Sequence, residues 1–376
     1  MQPGDLPPPP HEPRAARTSV ERMSLHLAGC SARDELNLNC TFAEGASWRR
    51  GASDAWRAAG LSAWKVGCLE QLRDGSAAEA ELARCRALGL RIVEHDDADY
   101  PEGLHHLYQP PLLLMIRGRW PVTMPAVAVV GARAATSYGQ NATRGLSVAL
   151  ATAGFAIVSG LARGIDRHAL QAALEQDGWP IAVLGNGIDI AYPPENRELQ
   201  AAIAQQGTVI SEFPLGRRPD KLAFPRRNRV IAALARQVLV VEAGLRSGAL
   251  ITAAHAAELG RDVLAVPGPI DSEQSAGCNR LIADGATPII DVAALMFAVR
   301  GPMPAEDCAA PRPEDPLLAA LGRRTLDVDE LAQAAGRSAS ATLSGIVALE
   351  LQGLVQRLPG GRFAARARGS GAAAQR

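Results

Sequence analysis

The chain has 376 residues, 47% of them hydrophobic and 21% charged, which suits a folded α/β core with smaller modules at its ends. Its 39 basic and 39 acidic residues cancel, which excludes a molecule-wide field for polyanions, so any nucleic-acid site must come from local clustering. Only 4% of the residues are aromatic, so stacking surfaces for bases are few.

Residues 1–20, rich in proline and poor in large apolar groups, predict a disordered tail. No leader-like apolar run and no apolar stretch of about 18 residues occurs, so the expected location is the cytoplasm, without a membrane. Residues 21–115 predict a small helical (SAM-like) domain. Segments 55–59, 61–72 and 77–88 carry helical spacing, 90–93 is a short strand, and 21–50 has too weak a period to assign. Residues 116–298 are the expected main domain, in which from Ala126 to about Asp291 a pattern repeats: a short β-branched run, a glycine-bearing turn, then an Ala- and Leu-rich helix. The runs are AVAVV, FAIV, IAVL, TVI, QVLVV, DVLAV and TPII. Apolar strands alternating with helices predict a Rossmann-like, doubly wound, mainly parallel sheet covered on both faces. A Pro-rich linker at 299–315 precedes residues 316–368, where three helices and the glycine-tipped LVQRLPGGRFAA predict a winged helix, with Ser338 capping its third helix. Residues 369–376 form a second expected tail.

In such a sheet ligands bind beyond the carboxyl ends of the strands. The turns there are GARAATSYG, SGLARGID, GNGIDIAYPPEN, SEFPLG, EAGLRSGALITAA and PGPI. Glycine lets a backbone approach a ligand closely, and Ser or Thr at a helix start offers donors to phosphate oxygens. One such turn is an ordinary tight corner, whereas a succession of them suggests a phosphate-lined crevice.

Between the fourth and fifth strands of this domain, Arg217, Arg218, Lys221, Arg226, Arg227, Arg229 and Arg236 stand against a lone acid, Asp220. Such an excess can neutralise several phosphates along a backbone. Phe224, inside the run, is placed to stack on a base without reading sequence. A solvated basic loop with Phe224 in the core remains the alternative at this point.

Enzymatic readings find little support. The second strand ends in Val158–Ser159–Gly160, without the acid that holds a dinucleotide ribose, and no GxxxxGK[ST] occurs. Cys30, Cys40, Cys68, Cys85, Cys278 and Cys308 are scattered, and His168 and His255 lack metal spacing, so neither metal nor cofactor is expected. Asp166, Asp189 and Glu212 follow strands, where such residues more often cap helices or pair with arginine than act as acids or bases.

Taken in order, VAVVGARAATSYG, VSGLARGID, IAVLGNGIDIAYPPEN, ISEFPLG, FPRRNRVIAAL, VVEAGLRSGALITAAHAAELGRDVLAVPG and SAGCNRLIADGA resemble the bacterial DNA-processing protein A (DprA, or Smf) family, in register from Val127 to Ala286. The resemblance implies a homodimer without turnover. It would bind and protect single-stranded DNA in natural transformation and help load the recombinase RecA. The resemblance assigns phosphates to Arg133 and Lys221 and a base to Phe224, with Ser159, Gly160, Arg226, Arg227, Asn228 and Arg229 in the pocket and Ser247, Gly248 and Thr252 beginning the helix after the fifth strand. Where the family carries an Ala-His pair, this chain has His168–Ala169–Leu170. The rival readings are a nucleotide-processing enzyme on a related scaffold, disfavoured by PGPI in place of a PGGxGT-type turn, and a duplex-binding regulator acting through the winged helix.

Overall fold

The computed structural model describes residues 18–42, 48–300, 316–321, 325–351, 354–358 and 361–365. The expected tails, apart from residues 18–20, and all of the linker but 299–300 lie outside them. The described residues fall in two compact units, up to Gly301 and from Pro302.

Five helices open the first unit: α1 (Val20–Leu27), α2 (Ala32–Thr41), α3 (Ser53–Ala58), α4 (Ala63–Gln71) and α5 (Ser76–Ala87). Residues 21–42 therefore hold two helices, and clear signals for them are in the caps. Ser19 accepts from Arg22 N, and Ser31 forms a capping box with Asp34. Next come β1 (Arg91–Glu94), α6 (Glu102–His105) and β2 (Leu113–Gly118). The α/β repeat follows as β3 (Ala126–Val130), α7 (Ser137–Thr152), β4 (Ala156–Ser159), α8 (Ile165–Glu175), β5 (Pro180–Leu184), α9 (Arg197–Gln206) and β6 (Thr208–Ser211). After it the chain forms α10 (Ala223–Leu234), β7 (Gln237–Val240), α11 (Gly248–Glu258), β8 (Asp262–Ala265), α12 (Ala276–Ala283), β9 (Thr287–Pro288) and α13 (Val292–Arg300).

The nine strands form one sheet in the order β1-β2-β6-β5-β4-β3-β7-β8-β9. From β6 to β9 all neighbours are parallel, whereas β1 and β2 extend the β6 edge antiparallel. The winding reverses at β3, from which the chain steps outward to β4, β5 and β6 and then crosses back to β7. The helical segment is not a separate body: the expected boundary at 115/116 falls inside β2, and β1 belongs to the main sheet. Alternation along the strands explains the fusion. Leu113 and Met115 share a core with Trp56, Leu69 and Leu82 of the helical segment, whereas Leu114 and Ile116 face the core that holds α10 and α11. Val127 and Val129 of β3 pack with α7, α8 and α13, and Ala128 and Val130 with α10 and α11. The sheet is thus doubly covered, with α1–α5 doing at its β1–β2 end what crossover helices do elsewhere.

The second unit comprises α14 (Pro316–Leu321), β10 (Thr325–Leu326), α15 (Val328–Ala335), α16 (Ala339–Leu351), β11 (Val355–Leu358) and β12 (Arg362–Ala365), with a sheet ordered β10-β12-β11. Leu317, Leu331, Ile346, Val355 and Phe363 form its core. Asp327 and Glu330 box the start of α15, and the Ser338 hydroxyl accepts from Ala341 N at 3.3 Å, as a cap of α16 does. Three helices and a β-hairpin make this unit a winged helix.

His26 on α1 is buried with Nε2 unpartnered, and burial, joined by the charge of Arg226, pushes its pKa from 6.5 down to about 4. Folding therefore excludes a proton that the unfolded chain binds, so stability present above pH 6.5 is lost as the pH falls toward 4. The expected loss from this group is about 3 kcal/mol. Denaturant unfolding at pH 7.5 and 4.5 should show wild type losing about 2–3 kcal/mol more than His26→Leu; an equal loss in both would refute the assignment.

Candidate nucleic-acid interface

Helix α10 is built so that one stripe faces the switch point of the sheet. Phe224, Arg227, Asn228 and Ile231, spaced three, four and seven residues on, line one wall of a groove of about 720 Å³. Val130, Gly131, Ala132 and Arg133 after β3, and Gly244, Arg246, Ser247 and Gly248 after β7, line the others. The groove therefore opens beyond the carboxyl ends of β3 and β7, where open α/β sheets bind ligands.

Its floor is fixed by Arg227. Arg227 is 4% exposed, and its Nη1 donates to the carbonyls of Gly160, at 2.7 Å, and Val183. A Cβ on Gly160 would lie 2.6 Å from this group, so the glycine admits the arginine rather than a ligand. Burial pulls the pKa of Arg227 down to about 10, with the Asp166 charge opposing, so it stays a cation at neutral pH. Asp166 accepts from Gly160 N at 3.1 Å and Ala162 N at 3.3 Å; burial raises its pKa against the pull of Arg227 and of these N–H groups. Arg227 Nε also donates to Asn228 Oδ1, and Asn228 Nδ2 to the Gly248 carbonyl. One buried network thus ties α10 to β4, β5 and α11.

Above this floor the surface is aromatic and cationic. The half-buried Phe224 ring stacks on Tyr192 with centroids 5.7 Å apart at 27°, and the Arg133 guanidinium sits 5.1 Å from its centroid. Gly185 makes the approach possible, since a Cβ there would meet the ring at 2.8 Å. Arg133, Lys221 and Arg246 are exposed on the groove walls and make no ion pair among the described residues.

Helix starts contribute less than the glycine turns suggest. Thr136 at the start of α7 donates through N and Oγ1 to the Glu242 carboxylate, at 2.8 and 2.7 Å, and Glu242 is buried. A carboxylate of the protein occupies the position where a dinucleotide fold seats its pyrophosphate. At α11, Ser247 caps its own helix by accepting from Ala249 N at 3.3 Å, and Ser247 and Gly248 stay on the groove wall.

The predicted site residues separate accordingly. Arg133, Gly160, Lys221, Phe224, Arg227, Asn228, Ser247, Gly248 and Thr252 converge on the groove and the depression beside the Phe224 ring, although Arg227 and Thr252 are buried beneath the surface. Ser159 does not reach it: its side chain is fully buried and donates to the Val129 carbonyl at 2.6 Å. Arg226 and Arg229 lie round the helix, toward Glu212, which pairs with both. Arg217 pairs with Asp220 at 2.7 Å, and Arg236 stands at the amino end of β7. The basic run therefore faces more acid than its lone Asp220, because Glu212 and Asp166 come from other turns. Tyr192 and Arg246 were missed as site residues. Each is a single side chain in a strand-end turn with no periodicity to mark it.

A doubly wound sheet with a cationic, ring-bearing switch-point groove and an appended winged helix defines a Rossmann-like binding protein of the nucleic-acid class in its general build. Comparison with known proteins gives the family. Residues 91–300 match the family model for DNA recombination-mediator protein A, and residues 301–361 the DprA winged helix domain. The chain is 37% identical over 320 residues to Protein Smf of Synechocystis, covering 73% of this chain and 79% of that one. It is 40% identical to Escherichia coli Protein Smf over 286 residues, 72% and 76% of the two chains. The X-ray structure of DprA from Streptococcus pneumoniae superposes with TM-score 0.64 at 35% identity, covering 74% of this chain and 97% of that one. A solved structure of Helicobacter pylori DprA, described for its single-stranded DNA binding mode, does so with TM-score 0.50 at 29% identity, over 56% of this chain and 95% of that one. The chain belongs to the DNA recombination-mediator protein A family.

The buried network makes a prediction that separates support from contact. Arg227→Ala leaves two carbonyls and the buried Asp166 without their cation and should cost about 3–5 kcal/mol. Arg133→Ala, at an exposed position, should change stability by less than about 0.5 kcal/mol. Urea unfolding of both variants measures this, and an Arg227→Ala protein as stable as wild type would contradict the assigned role.

Proposed function

We propose that this protein is a recombination mediator that binds single-stranded DNA in the switch-point groove, with Phe224 as the stacking platform and Arg133, Lys221 and Arg246 as phosphate contacts. One observation carries the reading: a half-exposed ring, already stacked on Tyr192 and topped by a guanidinium, beside cations with no carboxylate partner among the described residues. Ring faces accept any base and free cations accept any phosphate, so such a groove binds strands without reading their sequence. The Helicobacter pylori relative, whose structure concerns single-stranded DNA binding, supports the same ligand.

The strand-end acids argue for binding over turnover. Asp166 and Glu242 hold backbone N–H groups, and Glu212 holds Arg226 and Arg229. On this reading the protein works in the cytoplasm as a homodimer, protects strands entering in natural transformation and passes them to RecA, without a cofactor. No helix among the described residues is long and apolar enough to cross a membrane.

Fluorescence anisotropy with single- and double-stranded oligonucleotides over a range of salt tests the ligand. Single strands should bind more tightly and independently of sequence, with log affinity falling linearly in log salt. Phe224→Ala should weaken binding by about 1–3 kcal/mol, the worth of one stacked base, and Lys221→Ala should lower the salt slope by about 0.7. Preference for duplex would sink the reading and favour the winged helix as the DNA element. RecA filament assembly on coated strands, and the mass of the protein in solution, test the partner and the dimer.

A further inference from the structure

We propose that a strand seated at Phe224 leaves the groove along a lane between α7 and α8, where Arg167 and Arg144 hold its backbone. The proposal rests on the strand-binding reading and extends it to a second stretch of contact.

The lane continues from the groove without a gap. A depression of about 350 Å³ shares Arg133 and Arg163 with the one at the Phe224 ring. A further depression of about 210 Å³ shares Gln140, His168 and Gln171 with that, and ends at Arg144 and Glu175. Along α8 from Ile165 to Glu175 the lane extends ~16 Å at 1.5 Å per residue. That is room for roughly three to five phosphates at the 3.4 Å spacing of a stacked strand.

Its chemistry differs from that of the groove. Apart from the His168 imidazole it holds no ring, and it holds no large apolar side chain, so it lacks the aromatic platform of the groove. Four guanidinium groups, of Arg133, Arg163, Arg167 and Arg144, face two carboxylates, Glu195 and Glu175, a surplus of two positive charges. Arg163 pairs with Glu195, and Arg144 with Glu175 at 2.8 Å, both at the surface. Arg167 is exposed and makes no ion pair among the described residues; its charge helps hold Glu195 below the usual carboxylate range, after the hydrogen bond from Arg163. Burial, then Arg167 and Arg144, lowers the pKa of His168, which leaves a neutral ring with one N–H to offer an oxygen. Amides of Gln140, Asn141 and Gln171 complete the lining. Cations and neutral donors without apolar contacts suit a phosphodiester backbone, the sequence-independent half of a nucleic-acid interface.

The test compares oligothymidylates of six and twelve nucleotides binding to wild type, to the double variant Arg144→Ala/Arg167→Ala and to Phe224→Ala. Both lane positions are exposed, and circular dichroism checks the fold. The six-mer should bind wild type and the double variant equally. The twelve-mer should bind the double variant on the order of tenfold more weakly at 0.1 M salt, with the salt slope reduced by about 1.4 for two lost single-strand contacts. Unchanged twelve-mer affinity, or equal weakening at both lengths, would overturn the lane. Loss of six-mer binding in Phe224→Ala keeps the groove reading standing in either case. A wild type that binds neither length, or a Phe224→Ala protein that binds the six-mer as wild type does, overturns the groove and the lane together.

Discussion

A guanidinium shut away from water is tolerated only where acceptors and an opposite charge meet it, and this molecule arranges that at the ends of β4 and β5. Arg227 donates to the carbonyls of Gly160 and Val183 and to Asn228 Oδ1, with Asp166 as the opposing charge. Because these acceptors belong to different strands, the network fixes both the depth and the rotation of α10 on the sheet. Phe224, three residues earlier, is then placed over Gly185 and against Tyr192, and Arg226 and Arg229 are turned toward Glu212. The stacking ring is thus positioned by a residue that does not itself need to touch a ligand.

The same logic moves ligand binding outward. In a dinucleotide fold the first helix start is left open for a diphosphate, whereas here Glu242 fills it, and Asp166 fills the turn after β4. What stays open is the upper groove, with a ring platform, the α11 start and side-chain cations. Such a surface grips a polymer at many weak points rather than one small molecule at a few strong ones.

Much of this was readable from the chain because local signals and tertiary outcome agree. The apolar runs of β3 to β9 stand within a residue or two of the strands; β3 to β7 are buried almost throughout, and a strand buried on both faces has to be apolar along its length. The glycine-tipped hairpin and Ser338 marked the winged helix in the same way. What escaped depends on pairing or on phase. Nothing local says that β2 pairs with β6 and carries β1 into the main sheet, and α2 has too weak a period to mark it, so its Ser31 capping box is the clearer signal. The basic segment was read along the sequence, but a helix divides such a run by its 3.6-residue period. That division sent Arg227 inward and Arg226 and Arg229 to Glu212, a partner no window around them contains.

Which of the paired arginines a polyanion could recruit follows from how deeply their carboxylates lie. Glu175 and Glu195 are 35% and 39% exposed, so their pairs with Arg144 and Arg163 are surface ion pairs that contribute little to stability. A phosphate can replace such a carboxylate, which regains its water, at little cost. Glu212 is 2% exposed and has one oxygen without a partner, so drawing Arg226 and Arg229 away would strand a buried charge. The cations that matter to a strand are therefore those that are unpaired or paired only at the surface, a smaller and differently placed set than the arginine count of the segment suggests. In a chain of zero formal net charge, the burial of its acids decides where its positive charge is available.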